Sequence, residues 1–250
     1  MVARGDLGVE IPFADLLILQ KKMVRLCNLA GKPVIVATQM LDSMQRNPRP
    51  TRAEVTDVGN AVLDGADCVM LSGESANGSY PVVAAQTMQT IVRKADDALD
   101  QRRGYSNIGQ RRTEMYDAIS KNAATLESIC SAAVQMASQT DADIIIAISR
   151  KGSTVKQLAK FRPNVPIMAF VPTPSIGRRL ILHRGVYPIV MSTTATEHDE
   201  HERVVEAIRT AKEIGWLQPN HRVIVVDAEL WGLESTKVKT KANCIKIFTV

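Results

Sequence analysis

The chain opens with MVARGDLG (residues 1–8), and this stretch decides how the rest of the sequence is interpreted. The apolar residues 1–3 are typical of the end of a buried strand, and Asp6 follows in a segment flanked by Gly5 and Gly8. A strand that carries a functional group at its carboxyl end usually lies inside an α/β domain, with other strands on both sides. We therefore predict a parallel sheet here, with the Asp6 carboxylate in the turn that follows its first strand.

Helix and strand patterns alternate through the first hundred residues. Apolar residues recur at helical spacing from Asp15 to Ala30, and a short β-branched strand follows at Pro33–Ala37. Thr51 and Glu54 have the spacing of a capping box, which predicts a helix beginning at Thr51. That helix is expected to end at Leu63, before Gly65, and to be followed by a strand at Asp67–Leu71 and a helix from Pro81 to about Leu99.

Polar residues stand at the carboxyl end of each predicted strand of this part. Arg4 and Asp6 follow the first strand, Thr38 and Gln39 the second, and Ser72 and Glu74 the third. Because the carboxyl ends of parallel strands meet at one edge, we expect these side chains to converge, as they do in (β/α)₈ barrels. About eight strands are needed to close such a barrel. Residues 1–100 are therefore predicted to form only the last three βα units of a TIM barrel.

The second half of the chain predicts a different α/β architecture. Residues 101–115 are mostly polar and basic and are interpreted as a linker. Over residues 116–250, alternating helices and strands favour an open, mostly parallel sheet, and a last strand at 243–250 is expected to pair antiparallel at an edge. The predicted helices are 117–136, 154–160, 173–182 and 200–214, and the other strands are 143–148, 165–170, 186–190 and 222–227.

The composition is that of a globular protein and narrows the functional classes. Of the 250 residues, 45% are hydrophobic and only 4% aromatic, with a diffuse net charge of +5, so a base-stacking nucleic-acid surface is not predicted. Cys27, Cys68, Cys130 and Cys244 are widely separated, which argues against a disulfide framework or a zinc knuckle. Neither a secretory signal nor an apolar run of bilayer length is present, so we expect a cytoplasmic protein without a membrane partner.

Four motifs in register resemble pyruvate kinase: MVARGDLGVEIP (1–12), GKPVIVATQML (31–41), PRPTRAE (48–54) and MLSGESA (70–76). The resemblance is close up to about residue 100 and continues more loosely beyond it. It implies transfer of a phosphoryl group from phosphoenolpyruvate to ADP, giving pyruvate and ATP in the last step of glycolysis. It also implies Mg²⁺ (or Mn²⁺) and K⁺ as cofactors, a homotetramer, and regulation by a phosphorylated allosteric effector.

The resemblance assigns Asp6 to the metal site and the peptide amides around Gly5 and Asp6 to the substrate carboxylate. Both roles suit the residues, because a hard divalent cation prefers oxygen ligands and glycine lets backbone amides approach an anion. The alternative for Asp6 is a purely structural role, in which it caps the helical turn that follows.

Three further residues of this part are assigned by the resemblance to the catalytic site. Thr38 would contact the substrate carboxylate near the methylene carbon that is protonated, and Ser72 and Glu74 would support proton delivery to the enolate. The alternatives are a strand residue with a satisfied hydroxyl for Thr38 and a turn-forming role for the other two. Arg52 would lie at a subunit interface near the site, or else at a solvated helix start.

Another loop resembles the family segment that grips a phosphate of a sugar-bisphosphate effector. It contains Ser149, Arg150, Lys151, Ser153 and Thr154, between a predicted strand and a predicted helix. Hydroxyls and free amides at a helix N-terminus bind phosphate, although a capped strand-to-helix turn needs no ligand.

The expected partner of this loop, at 228–240, lacks the glycine-rich turn of the family pattern, which leaves the effector's identity open. Lys237, Lys239 and Lys241 alternate there and favour a solvated edge strand over an anion site. Residues 198–201 (HDEH) are interpreted as a polar helix start rather than a metal cluster.

The resemblance also implies functional groups that the chain does not contain: the lysine that stabilises the phosphoryl group, the second metal-binding glutamate, the potassium ligands, the nucleotide-binding arginine and the lid domain. We therefore expect no measurable kinase activity from the chain alone. Two interpretations stay open. The first, favoured because Met1 matches an internal methionine of the family pattern, is the C-terminal portion of a pyruvate kinase. The second is a stand-alone, non-catalytic module that binds an effector or pairs with other subunits.

Overall fold

A computed structural model describes residues 1–103, 124–191, 200–227 and 244–250. The contacts divide the chain into two compact units, Met1–Asp117 and Ala118–Val250. Most of the predicted linker at 101–115 lies outside the described residues, so the domain boundaries stay predictions.

The first unit alternates short parallel strands with helices, as predicted. Its strands are β1 (Val2–Ala3), β2 (Ile35–Ala37) and β3 (Cys68–Met70). Its helices are α1 (Arg4–Glu10), α2 (Leu16–Leu29), α3 (Arg52–Asp64), α4 (Gly73–Ala76) and α5 (Pro81–Arg103), with short 3₁₀ turns at Phe13–Asp15 and Asp42–Gln45.

The ends of α3 follow the chemistry that the sequence predicts. The Thr51 side chain accepts a hydrogen bond from the Glu54 amide, and the Glu54 side chain accepts one from the Thr51 amide, so the capping box is confirmed. Gly65 ends the helix with φ +106°, a left-handed conformation that glycine adopts without a steric penalty. Local signals therefore fix both ends of this helix.

The strands form one parallel sheet in the order β1-β2-β3, which confirms a partial barrel of three βα units. Between the sheet and its helices lies a core in which Val2, Val24, Val36 and Val58 are completely buried. Burial of such side chains is the main favourable contribution to folding. The core therefore holds the strands in the register that brings their carboxyl ends together.

The prediction of a turn after the first strand was wrong. Helix α1 begins at Arg4, directly after β1, so Asp6 lies in the first turn of a helix. The glycine signal had another cause: a Cβ atom on Gly5 would lie 3.0 Å from the Thr38 Cγ2 atom. Gly5 thus permits a close approach between α1 and the end of β2 rather than a chain reversal.

The second unit is an open α/β sheet in the order β6-β5-β4-β7-β8, in which only the pairing of β7 with β8 is antiparallel. The predicted antiparallel edge strand is therefore confirmed. The described strands are β4 (Ile144–Ile148), β5 (Ile167–Val171), β6 (Val186–Val190), β7 (Arg222–Asp227) and β8 (Cys244–Thr249); the helices are α6 (Ala124–Gln139), α7 (Ser153–Lys160), α8 (Pro174–Leu180) and α9 (Glu200–Glu213).

Every residue of β4 and β5 is buried, which is typical of parallel strands covered on both faces. The helices that pack beside this sheet also bury polar groups. In particular, Glu127 of α6 forms an ion pair with Lys160 of α7, and both side chains are more than nine-tenths buried. The second unit therefore combines an apolar sheet with a charged contact between two of its helices.

Candidate functional site

The carboxyl ends of β1, β2 and β3 lie at one edge of their sheet. Ala3 pairs with Ala37, and Ala37 with Met70, so the next residues along each strand begin at neighbouring positions. This arrangement agrees with the expected convergence of the strand ends.

Arg4 connects two of these strand ends; the sequence placed it among the polar residues there but assigned it no role. Its Nε and Nη2 atoms donate to the Thr38 carbonyl oxygen, at 3.1 and 2.7 Å, and Nη2 also donates to the Gln39 carbonyl at 3.1 Å. Its Nη1 atom donates to both carboxylate oxygens of Asp57 in α3, at 2.8 and 2.6 Å. We call this set of contacts the Arg4 clamp; it joins the start of α1, the turn after β2 and α3.

The turn held by the Arg4 clamp has an uncommon backbone conformation. Thr38 has φ +78° and Gln39 has φ +55°, both in the left-handed region. A β-branched residue rarely adopts this region, and such strain costs on the order of 1–3 kcal/mol per residue. Strained backbone of this kind clusters at functional sites, so the turn supports the assignment of Thr38 to a site.

Asp6 occupies the first turn of α1, and its side chain is exposed. The capping alternative is not what the structure shows, because the N-cap position is Ala3 and carries no side-chain cap. No cluster of three or more possible metal-ligating side chains occurs within the described residues. Asp6 therefore presents its carboxylate at the strand edge, where the described residues form no such cluster around it.

Glu74 lies in α4, shortly after the end of β3, and is buried to 1% exposure. One of its carboxylate oxygens accepts a hydrogen bond from the Leu41 amide at 2.9 Å, and the other accepts one from the Ser72 amide at 2.7 Å. These bonds tie the loop after β2 to the loop after β3. The geometry is that of a positioning group, and the catalytic role of Ser72 and Glu74 stays a prediction.

Glu54 makes a second connection between loops of this unit. Its carboxylate accepts hydrogen bonds from the Ser43 amide at 2.7 Å and the Ser43 hydroxyl at 2.6 Å, in addition to the capping box with Thr51. Partial burial alone would raise the pKa of Glu54, but the hydrogen bonds from Ser43 and Thr51 outweigh it and lower that pKa below its ordinary value. Neighbouring Arg52 is exposed at the start of α3, and its interface role stays a prediction.

The predicted phosphate loop of the second unit lies between β4 and α7. Ser149 and Thr154 are completely buried, whereas Arg150 and Lys151 are exposed. The Ser149 hydroxyl accepts a hydrogen bond from the Gly152 amide at 3.0 Å, and Gly152 has φ +82°. Ser149, Arg150 and Lys151 thus lie in the loop and Ser153 and Thr154 begin α7, and the side chains of Ser149 and Thr154 are buried.

The predicted phosphate loop also follows β4, the strand at which the order of strands in the sheet reverses. From β4 the chain adds β5 and β6 on one side and then places β7 on the other side. Ligands of open α/β sheets bind outside the carboxyl ends of strands at such a switch point. The loop thus occupies a position at which ligand binding is common in this architecture.

Two other groups of residues singled out in the sequence cannot be compared with the structure. The segment 228–240 and the side chains of residues 198–201 lie outside the described residues. Among the helices that are described, none is both long and apolar enough to cross a membrane.

Comparison with known proteins matches both units to one family. The family model for the pyruvate kinase barrel domain matches residues 1–85, and the model for the pyruvate kinase alpha/beta domain matches residues 127–248. The two matches follow the division of the chain into a partial barrel and an open α/β sheet.

Several full-length relatives show the same correspondence. Pyruvate kinases of Kluyveromyces lactis and Lachancea kluyveri are 41% and 43% identical to the chain over 253 residues, covering 100% of it and 48% of each relative. The crystal structure of a pyruvate kinase from Cryptosporidium parvum superposes with a TM-score of 0.83 at 38% identity, covering 99% of this chain and 46% of that one. The chain thus spans about half the length of these relatives.

Proposed function

Because the chain belongs to the pyruvate kinase family, we propose that it contributes part of the site that transfers a phosphoryl group from phosphoenolpyruvate to ADP, giving pyruvate and ATP. One observation carries the proposal: the first turn of α1, with Gly5 and Asp6, packs against Thr38 at the carboxyl edge of three parallel strands. Chemistry in parallel-sheet barrels is concentrated at this edge.

The substrate carboxylate would bind at the start of α1. The first backbone N–H groups of a helix have no acceptor within the helix, so the amides of Gly5 and Asp6 can donate to an anion. The Thr38 hydroxyl would contact the same carboxylate and lie near the methylene carbon that receives a proton. Ser72 and Glu74 would assist by fixing the loop beside Thr38 rather than by touching the substrate.

The cofactors of the family fit these residues only in part. When bound, Mg²⁺ or Mn²⁺ would neutralise charge on the phosphoryl group. Magnesium sites usually combine one or two carboxylates with phosphate oxygens and water, and Asp6 offers one carboxylate. The described residues contain no cluster of three or more possible metal-ligating side chains. Asp6 is therefore proposed as one ligand of a site that needs others.

The proposal can be tested in a chimaera in which this chain replaces the matching half of the Kluyveromyces lactis enzyme. We expect the chimaera to form pyruvate from phosphoenolpyruvate and ADP, whereas the isolated chain forms none. Asp6→Asn and Thr38→Ala should each lower kcat/KM on the order of 100-fold, as loss of a charge-stabilising group does. Asp97→Asn, at an exposed position of α5, is the matched control. Full activity of the Asp6→Asn chimaera would refute the assignment.

We also propose that the second unit binds a phosphorylated effector, which the position of the phosphate loop at the switch point supports. Titration of the chain with a hexose bisphosphate, followed by calorimetry, should detect binding. Lys151→Gln should weaken it by about tenfold or more, because a charge-assisted contact is lost. Lys156→Gln, an exposed lysine of α7, is the control. Equal affinities of the two variants would exclude this loop. The homotetramer, the interface role of Arg52 and the cytoplasmic location stay predictions from the family.

A further inference from the structure

The turn after β2 needs an external restraint, because its own residues disfavour its conformation. Thr38 and Gln39 are consecutive non-glycine residues with positive φ, and Thr38 is β-branched. Thr38 and Gln39 follow β2 and lie beyond its strand pairing, which ends at Ala37, so their carbonyl oxygens need other hydrogen-bond donors. A conformation of this kind persists only where surrounding groups determine it.

The Arg4 guanidinium meets that need with a geometry that few other groups could reproduce. Its Nε and Nη2 atoms donate to the two carbonyls of the turn, while Nη1 is held by Asp57 of α3. The Arg4 side chain is only 12% exposed, so little water competes for these bonds. A planar fork with five donors can hold three acceptors in fixed directions, whereas a lysine ammonium is a point charge.

The restraint also acts on the Thr38 side chain. Because the Cγ2 atom of Thr38 lies against Gly5, a change of φ at Thr38 would turn both its methyl group and its hydroxyl away from the first turn of α1. Arg4 itself is the first residue of α1. The same residue therefore fixes both sides of this contact, the helix start and the turn.

We propose that Arg4, anchored by Asp57, is a positioning residue that imposes the left-handed conformation of Thr38 and Gln39 and so directs the Thr38 hydroxyl towards the start of α1. The inference rests on the proposed function only in assigning Thr38 to the substrate. The conformational effect of the Arg4 clamp does not depend on substrate and is tested without it.

The experiment is NMR spectroscopy of the full 250-residue chain with labelled threonine and glycine. A positive φ places the amide and α protons of one residue close together, so Thr38 should give a strong intraresidue Overhauser effect, and its methyl group should give a second one to the Gly5 α protons. In Arg4→Gln we expect the first signal to fall to the level of residues with negative φ and the second to disappear. Added guanidinium, at concentrations that do not unfold the chain, should restore both signals in Arg4→Ala.

Two further variants make the outcome decisive. Arg93→Gln, at an exposed arginine of α5, should leave both signals unchanged. If Arg4→Gln does not fold, Asp57→Ala serves in its place and should weaken both signals, because Arg4 then loses its anchor. Unchanged Thr38 signals in a folded Arg4→Gln or Asp57→Ala chain would overturn the proposal. An inactive chimaera would count against the proposed function and leave this result intact.

Discussion

Cys130 is completely buried in α6, and this burial, together with the nearby Glu127 carboxylate, raises the pKa of its thiol to about 12. Thiol reagents attack the thiolate, which at pH 8 would be only about one part in ten thousand of this group. We expect a disulfide reagent at pH 8 to modify the partly exposed Cys27 and to leave Cys130 unmodified until urea unfolds the chain. Peptide mass mapping measures both sites. Equal labelling of the two thiols in the native chain would contradict the expectation.

The pKa of Glu54 is shifted in the opposite direction from that of Cys130, and it predicts how stability depends on pH. Its pKa is lower in the folded chain, so its contribution to stability is present above its ordinary pKa of 4.5 and is lost as the pH falls through the folded value. At pH 7, Glu54→Gln should destabilise this region by about 1 kcal/mol, because the hydrogen bonds from Ser43 and Thr51 would then go to a neutral acceptor instead of a charged one. Hydrogen exchange of the Ser43 and Thr51 amides, compared with the unsubstituted chain at each pH, measures the difference.

The difference between Glu54→Gln and the unsubstituted chain should narrow as the pH falls below 4.5 and through the lower pKa of the folded chain, because the carboxylate then becomes protonated. Glu10→Gln, at an exposed position at the end of α1, is the control and should show no such dependence. A protection difference that stays constant from pH 7 to about pH 3 would show that the Glu54 charge does not stabilise the loop.

At the scale of elements, α6 and α7 are joined by the buried ion pair of Glu127 and Lys160. Removing one partner leaves the other charge buried and unpaired, which typically costs about 3–5 kcal/mol. Replacing both by apolar residues can be nearly neutral. We therefore expect Lys160→Met and Glu127→Gln each to be strongly destabilising, and Glu127→Leu with Lys160→Met to recover most of the loss.

Urea unfolding measured by tryptophan fluorescence checks this prediction, because Trp216 and Trp231 both belong to the second unit. Arg209→Gln is a suitable control, since its contact with Glu213 is exposed and such pairs contribute little. A double variant less stable than either single variant would mean that the two charges are not the source of the coupling between the helices.

Elements were predictable from the sequence where the information is local. The β-branched runs of β4 and β7, the Thr51 capping box and Gly65 each depend on residues close together in the chain. Helix α1 was not predicted, because Gly5 and Gly8 resemble turn signals, and the reason for Gly5 is its contact with Thr38, far along the chain. Local pattern alone cannot reveal that contact.

The site shows the same limit more strongly. The strand-end positions of Asp6, Thr38 and Ser72 follow from periodicity and parallel pairing, and were predictable. The Arg4 clamp joins residues separated by 34 and 53 positions, and a lone arginine after a short strand gives no signal for it. The only hint lay in the arginine standing two residues before the predicted carboxylate. Only contacts between residues far apart in the sequence distinguish the positioning groups, Arg4 and Glu74, from the exposed Asp6.

At the scale of the whole molecule, several exposed apolar side chains of the first unit lie close together in the sequence. Within ten residues, Val9, Phe13, Leu17 and Ile18 are 85%, 82%, 58% and 65% exposed. Exposed apolar residues concentrated in this way promote association, whereas scattered single ones do not.

We expect the chain to self-associate as its concentration rises and to bind a hydrophobic dye. Phe13→Ser with Ile18→Ser should reduce both effects, as measured by light scattering and dye fluorescence. Val82→Ser, which removes one exposed valine of α5, should change neither, because that valine is 66% exposed but belongs to a different segment. If the double variant scattered light and bound dye as strongly as the unsubstituted chain, the association would have to arise elsewhere. The outer edges of the β1-β2-β3 sheet would then be the next surface to substitute, because unpaired strand edges also promote association.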